Sequence, residues 1–207
     1  MQYLKEEVRD KILSIALGEF KKNGYLAASM RNIASGSDIA LGSIYRYFTN
    51  KQALFETLID PVYSKIFTYL SKIQEQINES VLSNNCAPMP YVNDIVNELV
   101  EIIMESDAEI MIIFNKSKGS KYENVKEELV NLINDINVQS YPKSIARDEN
   151  NRTMIYVVSY TLVEGISLIL KEDYDVDRIK LLINKLIYIS FKDLHIRLDG
   201  LKSEDNN

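Results

Sequence analysis

Glycine and proline are scarce in this chain, with 7 Gly and 4 Pro among 207 residues. A fold built from many short strands needs frequent turns, and turns depend on these two residues. We find no internal repeat and no segment with the alternation of apolar and polar residues that a half-buried strand requires. The sequence therefore predicts an all-α protein made of long helices.

Composition limits the class of protein further. At 46% hydrophobic and 26% charged residues, the chain has the balance of a soluble globular protein. One cysteine, Cys86, and one histidine, His195, are too few for a disulfide framework or a zinc site, and there is no glycine-rich phosphate loop. The apolar run at 157–170 is too short for a membrane span and contains Glu164, and the N-terminus lacks a signal-peptide pattern. We expect a cytoplasmic protein that is not an enzyme and has no cofactor, no metal and no membrane contact.

Positive charge is concentrated near the N-terminus. Residues 1–51 hold 8 basic and 5 acidic side chains, whereas the remaining 156 residues hold 16 basic and 25 acidic ones. A cationic head on an anionic body suits a protein that contacts nucleic-acid phosphates with one end. Chance fluctuation is the alternative, because the excess is small.

Local signals place three helices before residue 50. Apolar residues recur at helical spacing over 5–22, and Gly24 follows as a helix stop. Ser29 is a suitable N-cap for a short helix over 30–36, and a tight turn separates that helix from another over 41–48. Two short helices joined by a small-residue turn behind a packing helix describe a helix-turn-helix, whose second helix would enter the major groove of DNA.

A fourth, longer helix is predicted to follow. Asn50 is its N-cap and Lys51 its first residue. Pro61 removes one backbone hydrogen bond, so we expect a kink or break near residue 60. That position is either a hinge or a static kink.

Several short motifs coincide in this region: I-A at 33–34, G-S-I-Y-R-Y-F at 42–48 and N-K-Q-A-L-F at 50–55. Together they resemble the N-terminal signature of TetR-family transcriptional regulators, over about residues 8–59. The resemblance implies a three-helix helix-turn-helix head at 1–50, followed at 51–207 by an antiparallel helical body for ligand binding and dimerisation. The residues expected to contact DNA are Ser29, Arg31, Leu41, Gly42, Ser43, Arg46, Tyr47 and Lys51.

These positions carry chemistry that suits DNA. Gly42 permits close approach because it has no side chain, and Ser43 and Tyr47 offer hydroxyls to phosphate oxygens. Arg46 can bind a phosphate or the O6/N7 edge of guanine. Lys51 and the free N–H groups at the start of its helix are expected to attract a phosphate.

Three neighbouring side chains are expected to be structural. Ile44, Tyr45 and Phe48 would hold the recognition helix against the first and fourth helices. For Tyr45 the alternative is a phosphate contact, and for Tyr47 the alternative is core packing.

Two positions depart from the family pattern. Asp38 replaces the turn glycine, and Asp tolerates a left-handed backbone better than most residues. Ala40 replaces the Ser or Thr that caps the recognition helix, which costs about 1 kcal/mol. These departures leave open an alternative function, a helical ligand-sensing or protein-binding adaptor of the same fold that binds no specific operator.

The last two helices are apolar on nearly all sides and must therefore be buried on two sides. Beyond the fourth helix, the sequence predicts a polar loop at 83–90 and a frayed tail at 203–207. Between them it predicts helices over 91–105, 108–116, 121–138, 150–172 and 175–198, of which the last two are meant here. The resemblance implies that the last two helices pair with those of a second copy, so that a homodimer binds double-stranded DNA at an inverted-repeat operator. The residues expected at this interface are Ile155, Val158, Leu162, Gly165, Ile166, Ile169, Ile179, Leu182 and Leu186.

Aromatic and methionine side chains in the middle helices suit an apolar pocket, with plain core packing as the alternative. The resemblance implies a repressor released by a small-molecule effector, which we expect to be largely apolar. Glu164 would pair with a cationic ligand or with a nearby Lys or Arg. The segment 114–122 resembles a motif of one TetR subgroup, to which no ligand can be attached. The pocket candidates are Tyr63, Phe67, Met104, Met111, Phe114, Asn115, Tyr160 and Glu164.

Overall fold

The computed structural model describes residues 2–82, 92–172 and 175–200. Within these ranges the chain forms helices and no strand, which confirms the predicted class. The predicted loop at 83–90, which contains Cys86, and the predicted tail at 203–207 lie outside the described residues. The helices are α1 (Gln2–Ala27), α2 (Met30–Gly36), α3 (Leu41–Ile44), α4 (Lys51–Leu82), α5 (Val92–Glu105), α6 (Asp107–Asn115), α7 (Val125–Ser140), α8 (Lys143–Ala146), α9 (Glu149–Ile169), α10 (Val176–Phe191) and α11 (Leu194–Gly200).

The first four helices follow the predicted order with different ends. Gly24 leaves the helical conformation with φ 72° and ψ 167°, as its position predicted, and one further turn carries α1 to Ala27. α3 ends at Ile44 and a turn follows it, so the prediction of a helix to residue 48 was wrong. α4 runs through Pro61 without interruption, so of the kink or break predicted near residue 60 the break was wrong and the kink stays a prediction. Pro61 is exposed, and water can satisfy the carbonyl that loses its partner one turn earlier.

Three differences lie in the second half of the chain. The predicted helix at 121–138 begins only at Val125, because residues 116–124 form turns. The short helix α8 was not predicted. The predicted final helix is divided into α10 and α11 at Asp193, whose φ of 54° is left-handed and ends the helical run.

The chain divides into two compact units. The first comprises Met1–Lys65 and Ser106–Val125, and the second comprises Ile66–Glu105 and Lys126–Asn207. α6 and the turns that follow it therefore belong with the helix-turn-helix, although just over half of α4 does not. The functional division at residue 50 stays a prediction.

The core of the first unit lies between α1 and its neighbours. Phe20 and Phe55 are almost fully buried, and their rings meet edge to face with centroids 4.8 Å apart. Tyr25 packs its ring 4.8 Å from Phe55. Burial of one such side chain contributes about 1.5–3 kcal/mol, so these contacts hold the helix-turn-helix together.

The core of the second unit is formed by α9 and α10, with α5 packed on α10. Ile155 and Ile183 are fully buried there. Gly165 allows the close approach: a Cβ at this position would lie 2.6 Å from Leu186 Cδ2. Gly165 was predicted at the contact with a second copy, whereas the structure shows a close contact there between two helices of the same chain.

Among the described helices, α9 is long and apolar enough to cross a membrane by length and composition. A buried helix of a soluble protein passes the same test. α9 packs against α10 and carries Asn151, Ser159 and Ser167 on its buried side. One such helix is weak evidence for a membrane protein.

Candidate nucleic-acid interface

The start of α2 is tied to α1 by one carboxylate. Ser29 Oγ accepts a hydrogen bond from the Asn32 N–H at 3.4 Å, which confirms Ser29 as the N-cap. The Ser29 N–H donates to Glu19 Oε1 at 3.0 Å, and Asn32 Nδ2 donates to the same oxygen at 3.3 Å. Burial opposes ionisation of Glu19, but the hydrogen bonds from Ser29, Asn23 and Asn32 lower its pKa overall. The carboxylate thus fixes α2 in place while charged.

The turn between α2 and α3 has the geometry that the sequence predicted. Asp38 has φ 57°, the left-handed conformation in which the family uses glycine. Its carboxylate accepts a hydrogen bond from Lys11 Nζ, and this contact lowers the pKa of Asp38. Ala40 precedes α3 with no side-chain hydrogen bond, so the recognition helix lacks a cap as expected.

Residues 41–48, which comprise α3 and the turn after it, are called here the recognition segment. This segment has buried side chains on one side and an open surface on the other. Ile44 and Phe48 are buried, as predicted. Nothing lies within 4 Å of a Cβ built on Gly42, so a ligand can approach the backbone there. Tyr45 was predicted to be structural and this was wrong, because 46% of its surface is exposed. Nearly half of this tyrosine, which follows α3, is therefore accessible for contact.

Among the predicted DNA-contacting residues between 29 and 47, Ser29 caps α2 and Arg31 lies in its first turn. Leu41, Gly42 and Ser43 lie on α3, which contacts α2, and Arg46 and Tyr47 lie in the turn after α3. Arg31, Gly42 and Arg46 are exposed, and Ser29, Leu41, Ser43 and Tyr47 are partly buried.

Lys51 has a different role from the predicted one. Its Nζ donates to three main-chain carbonyls at the end of α1: Tyr25 at 2.7 Å, Leu26 at 3.0 Å and Ala28 at 3.2 Å. An ammonium group has three N–H donors, so these bonds leave none for a phosphate. The prediction that Lys51 attracts a phosphate is therefore wrong in this geometry. Asn50 Oδ1 accepts from the Ala53 N–H at 2.7 Å and confirms the predicted cap of α4.

Comparison with known proteins identifies this arrangement. Residues 12–58 match the profile of the family described as bacterial regulatory proteins, tetR family. Over 60 residues the chain is 37% identical to the transcriptional repressor KstR of Mycobacterium tuberculosis, covering 29% of this chain and 27% of KstR. The match therefore spans about a quarter of that relative. Over 148 residues it is 22% identical to IcaR of Staphylococcus aureus, the negative regulator of a biofilm operon, covering 61% of this chain and 78% of IcaR.

The N-terminal part of the chain, residues 12–58, is therefore similar to the DNA-binding head of TetR-family regulators. Its relatives are named as transcriptional regulators and not as enzymes.

Two solved structures of bacterial regulators align with most of the chain. The Pseudomonas aeruginosa protein NalD, described as the secondary repressor of the MexAB-OprM multidrug efflux pump, aligns with a TM-score of 0.51 at 18% identity, covering 88% of this chain and 95% of NalD. FadR of Bacillus halodurans, a fatty acid degradation regulator, aligns with a TM-score of 0.51 at 20% identity, covering 86% of this chain and 96% of FadR. At such identities the similarity concerns the helical fold alone.

The turns at 116–124, called here the α6–α7 loop, form part of the unit that carries this TetR-type head. The Tyr25 N–H donates to the Lys116 carbonyl at 2.8 Å, which joins the loop to the end of α1. The Tyr122 hydroxyl donates to Asp60 of α4, and Lys121 Nζ lies 3.0 Å from Asp60 Oδ1. The sequence singled out residues 114–122 as a motif but gave it no role.

Ionisation favours these contacts. Burial, followed by the hydrogen bond to Asp60, raises the pKa of the Tyr122 hydroxyl far above its ordinary value, so it remains a donor. Burial opposes charge on Lys121, but the hydrogen bond and charge of Asp60 raise its pKa overall. Both groups therefore stay protonated near neutral pH.

The residues predicted to form an effector pocket do not lie in one unit. Tyr63, Met111, Phe114 and Asn115 belong to the first unit, and Phe67, Met104, Tyr160 and Glu164 belong to the second. Within the first unit, Phe114 and Asn115 line a depression of about 330 Å³ whose other walls are polar: Ser117, Lys118, Glu123 and Asn124.

Two of the candidates in the second unit have other surroundings than predicted. Tyr160 is 51% exposed, so in the single chain it lines no enclosed pocket. Glu164 Oε1 lies 2.7 Å from Lys126 Nζ of α7, which is the second of the two uses expected for it. Lys126 neutralises the carboxylate, and this removes the argument for a cationic ligand.

Four residues predicted at the dimer interface are buried inside the chain itself: Ile155, Leu162, Ile166 and Ile179. Their assignment to a contact with a second copy was wrong, since α9 and α10 bury them against their own neighbours. The other five, Val158, Gly165, Ile169, Leu182 and Leu186, are partly buried. The large apolar side chains that α9 and α10 leave exposed are different ones: Met154, Tyr156, Val157, Tyr160 and Leu168 on α9, and Val176, Leu181, Tyr188 and Ile189 on α10.

Proposed function

We propose that this protein is a cytoplasmic transcriptional repressor that binds an inverted-repeat operator as a homodimer and is released by a largely apolar small molecule bound in its helical body. The observation that carries the proposal is the open surface of α3 on a family-matched head: Gly42 is accessible, and Arg46 and Tyr45 are exposed beside it. Arginine and tyrosine on such a surface can contact phosphates and base edges.

The exposed apolar side chains of α9 and α10 support the dimer. Val157, Tyr160 and Leu168 are 44%, 51% and 58% exposed, and Leu181 and Tyr188 are 52% and 55% exposed. In the proposed dimer, these side chains of α9 and α10 pack against those of a second copy, and the two helix pairs form a four-helix bundle. Isologous pairing of this kind gives two recognition helices related by a two-fold axis, which is the symmetry of an inverted repeat.

The effector proposal depends on composition. Phe67 and Met104 are partly buried apolar side chains of the second unit, and methionine and aromatic groups adapt to apolar ligands. With Glu164 paired to Lys126, we propose an uncharged or weakly polar effector.

Selection from a random duplex library tests DNA binding. The purified full chain is mixed with the library at low and moderate salt, and the retained duplexes are sequenced. Recovery of an inverted repeat, with affinity that falls steeply as salt rises, is expected. Retention without any enriched sequence would refute the repressor and favour the adaptor, which the uncapped Ala40 would then help to explain.

Sedimentation tests the dimer. Leu168→Glu, which places charge on the proposed face, is expected to convert dimers to monomers at micromolar concentration. Ile196→Glu is the matched control, because Ile196 is 60% exposed on α11. A wild-type protein that sediments as a monomer at all concentrations would refute the proposed dimer.

A further inference from the structure

The α6–α7 loop forms polar contacts with two helices of the first unit, α1 and α4. Its Lys116 carbonyl accepts the Tyr25 N–H at the end of α1, and its Tyr122 and Lys121 reach Asp60 on α4. Lys121 also lies 3.5 Å from Glu56, one turn before Asp60. One ammonium, of Lys121, and one hydroxyl, of Tyr122, therefore contact carboxylates of α4.

The loop has internal hydrogen bonds that fix its own shape. Ser117 Oγ donates to the Ile113 carbonyl at 2.7 Å, and Ser120 Oγ donates to the Ser117 carbonyl at 2.6 Å, with both serines buried. Gly119 has φ 83°, and its N–H donates to Glu123 Oε2 at 3.0 Å. These hydrogen bonds fix the conformation of the loop that carries Lys121 and Tyr122.

The contacts of Lys121 and Tyr122 with Asp60 are called here the Asp60 junction. The ring of Tyr122 adds apolar contacts to it. Its centroid lies 5.9 Å from that of Phe55 and 5.4 Å from that of Tyr63, both on α4. The side chain is 2% exposed. Removal of the hydroxyl alone therefore leaves a packed ring, which allows the polar contact to be tested without loss of the core.

The Asp60 junction involves two of the chain segments that connect the two compact units. The chain passes between the two compact units at 65/66, 105/106 and 125/126. Two of these three passages are the ends of the segment Ser106–Val125, which continues into α5 on one side and α7 on the other. The third is α4 itself. The contacts to Asp60 are thus where the segment that returns from α5 and α7 is fastened to α4.

We infer that Tyr122 and Lys121 are positioning residues for operator binding: by holding Asp60 they fasten the segment 106–125 to α4, so that α4 does not move independently of that segment and the three chain connections of each DNA-binding head act together. The inference rests on the proposed binding of an inverted repeat by a dimer. Weakening of the junction leaves the DNA-facing side chains of each head untouched. It loosens the orientation of one head relative to the other, and this lowers affinity only for a duplex that must engage both heads.

The test compares the selected inverted repeat with a duplex in which one half-site is scrambled. Tyr122→Phe and Lys121→Gln are expected to weaken binding of the full repeat about 5- to 10-fold, since each removes a charge-assisted contact. Binding of the single half-site is expected to change less than about 2-fold, and repeats with one base pair added or removed at the centre are expected to be discriminated less well. A purely structural role would not change this ratio.

Matched variants control for the chemistry of each substitution. Lys118→Gln removes the same charge from an exposed position of the same loop. Tyr141→Phe removes the hydroxyl of a partly buried tyrosine of the second unit, which donates to Asn137 Oδ1 at 3.3 Å. Both are expected to bind like wild type. In an Asp60→Asn background, Tyr122→Phe is expected to have a smaller additional effect, because both substitutions remove the same contact.

The outcomes separate the inference from the proposed function. If the wild-type protein selects an inverted repeat and Tyr122→Phe and Lys121→Gln bind both duplexes like wild type, or lose affinity equally for both, the positioning role is overturned and the repressor stands. If the wild-type protein selects no repeat, the proposed function fails and the inference fails with it.

Discussion

Substitution of Lys51 by methionine separates a structural lysine from a DNA-binding one. The methionine keeps most of the aliphatic stem and removes the ammonium that donates to the carbonyls of Tyr25, Leu26 and Ala28 at 2.7, 3.0 and 3.2 Å. A hydrogen bond to a charged group contributes about 1.5–3 kcal/mol, but the three share one ammonium and water can replace part of what is lost. We expect a loss of about 2 kcal/mol in the free energy of unfolding, which lowers the melting temperature by about 4–8 °C for a chain of this size.

Two measurements on the same protein distinguish the roles. Urea unfolding reports stability, and the dependence of operator affinity on salt reports the number of phosphates neutralised. Loss of one phosphate contact lowers the slope of log K against log salt by about 0.9, so a substitution that removes one contact from each protomer of the proposed dimer lowers it by about 1.8. For Lys51→Met we expect lower stability and an unchanged slope. For Arg46→Met, at an exposed position of the recognition segment, we expect unchanged stability and either a smaller slope or a changed sequence preference.

The opposite pattern would refute the reasoning. If Lys51→Met unfolds at the wild-type urea concentration and its salt slope falls by about 1.8, the ammonium of each protomer leaves the carbonyls for a phosphate. The role given to Lys51 from its three hydrogen bonds would then be wrong, and the prediction made from the sequence would be right.

Two further substitutions test the local geometry of the head. Ala40→Ser supplies the absent cap of α3 at a residue with extended backbone, so we expect a gain of about 1 kcal/mol in the free energy of unfolding, measured in urea; no gain would mean that the end of α3 is already satisfied. Glu19→Gln weakens the link to Ser29 and Asn32, and we expect a loss of about 1 kcal/mol at neutral pH. Because the folded pKa of Glu19 is lowered, this stabilisation is present above its unfolded pKa and disappears as pH falls through the folded value. A difference between the two proteins that persists unchanged at acidic pH would contradict this assignment.

The local elements of the head could be predicted because their signals act over a few residues. Ser29 and Asn50 cap the helices that follow them, and Gly24 leaves the helical conformation where its position indicated. In each case the partner atoms lie within four residues along the chain, so spacing alone identifies them. Asp38 adopts a left-handed φ for the same local reason.

The two roles that were predicted wrongly or left open depend on partners far along the chain. Lys51 donates to carbonyls 23 to 26 residues earlier, and Tyr122 donates to Asp60, 62 residues earlier. A lysine at a helix start is equally suited to a phosphate or to the carbonyl end of another helix, and the sequence does not show which of these lies nearby. Only the packing of α1 against the start of α4 decides.

The dimer residues were misassigned for a related reason. An apolar pattern on nearly all sides of α9 indicates burial on two sides, but it does not tell which side the chain covers itself. Gly165 resolves this, because only a small residue lets Leu186 approach so closely, and that places the side of α9 bearing Gly165 against α10 of the same chain. Val157, Tyr160 and Leu168 then remain exposed on another part of the helix. A soluble protein rarely leaves so many large apolar groups uncovered, so this face, and not the one chosen from the sequence, is where a second copy would bind.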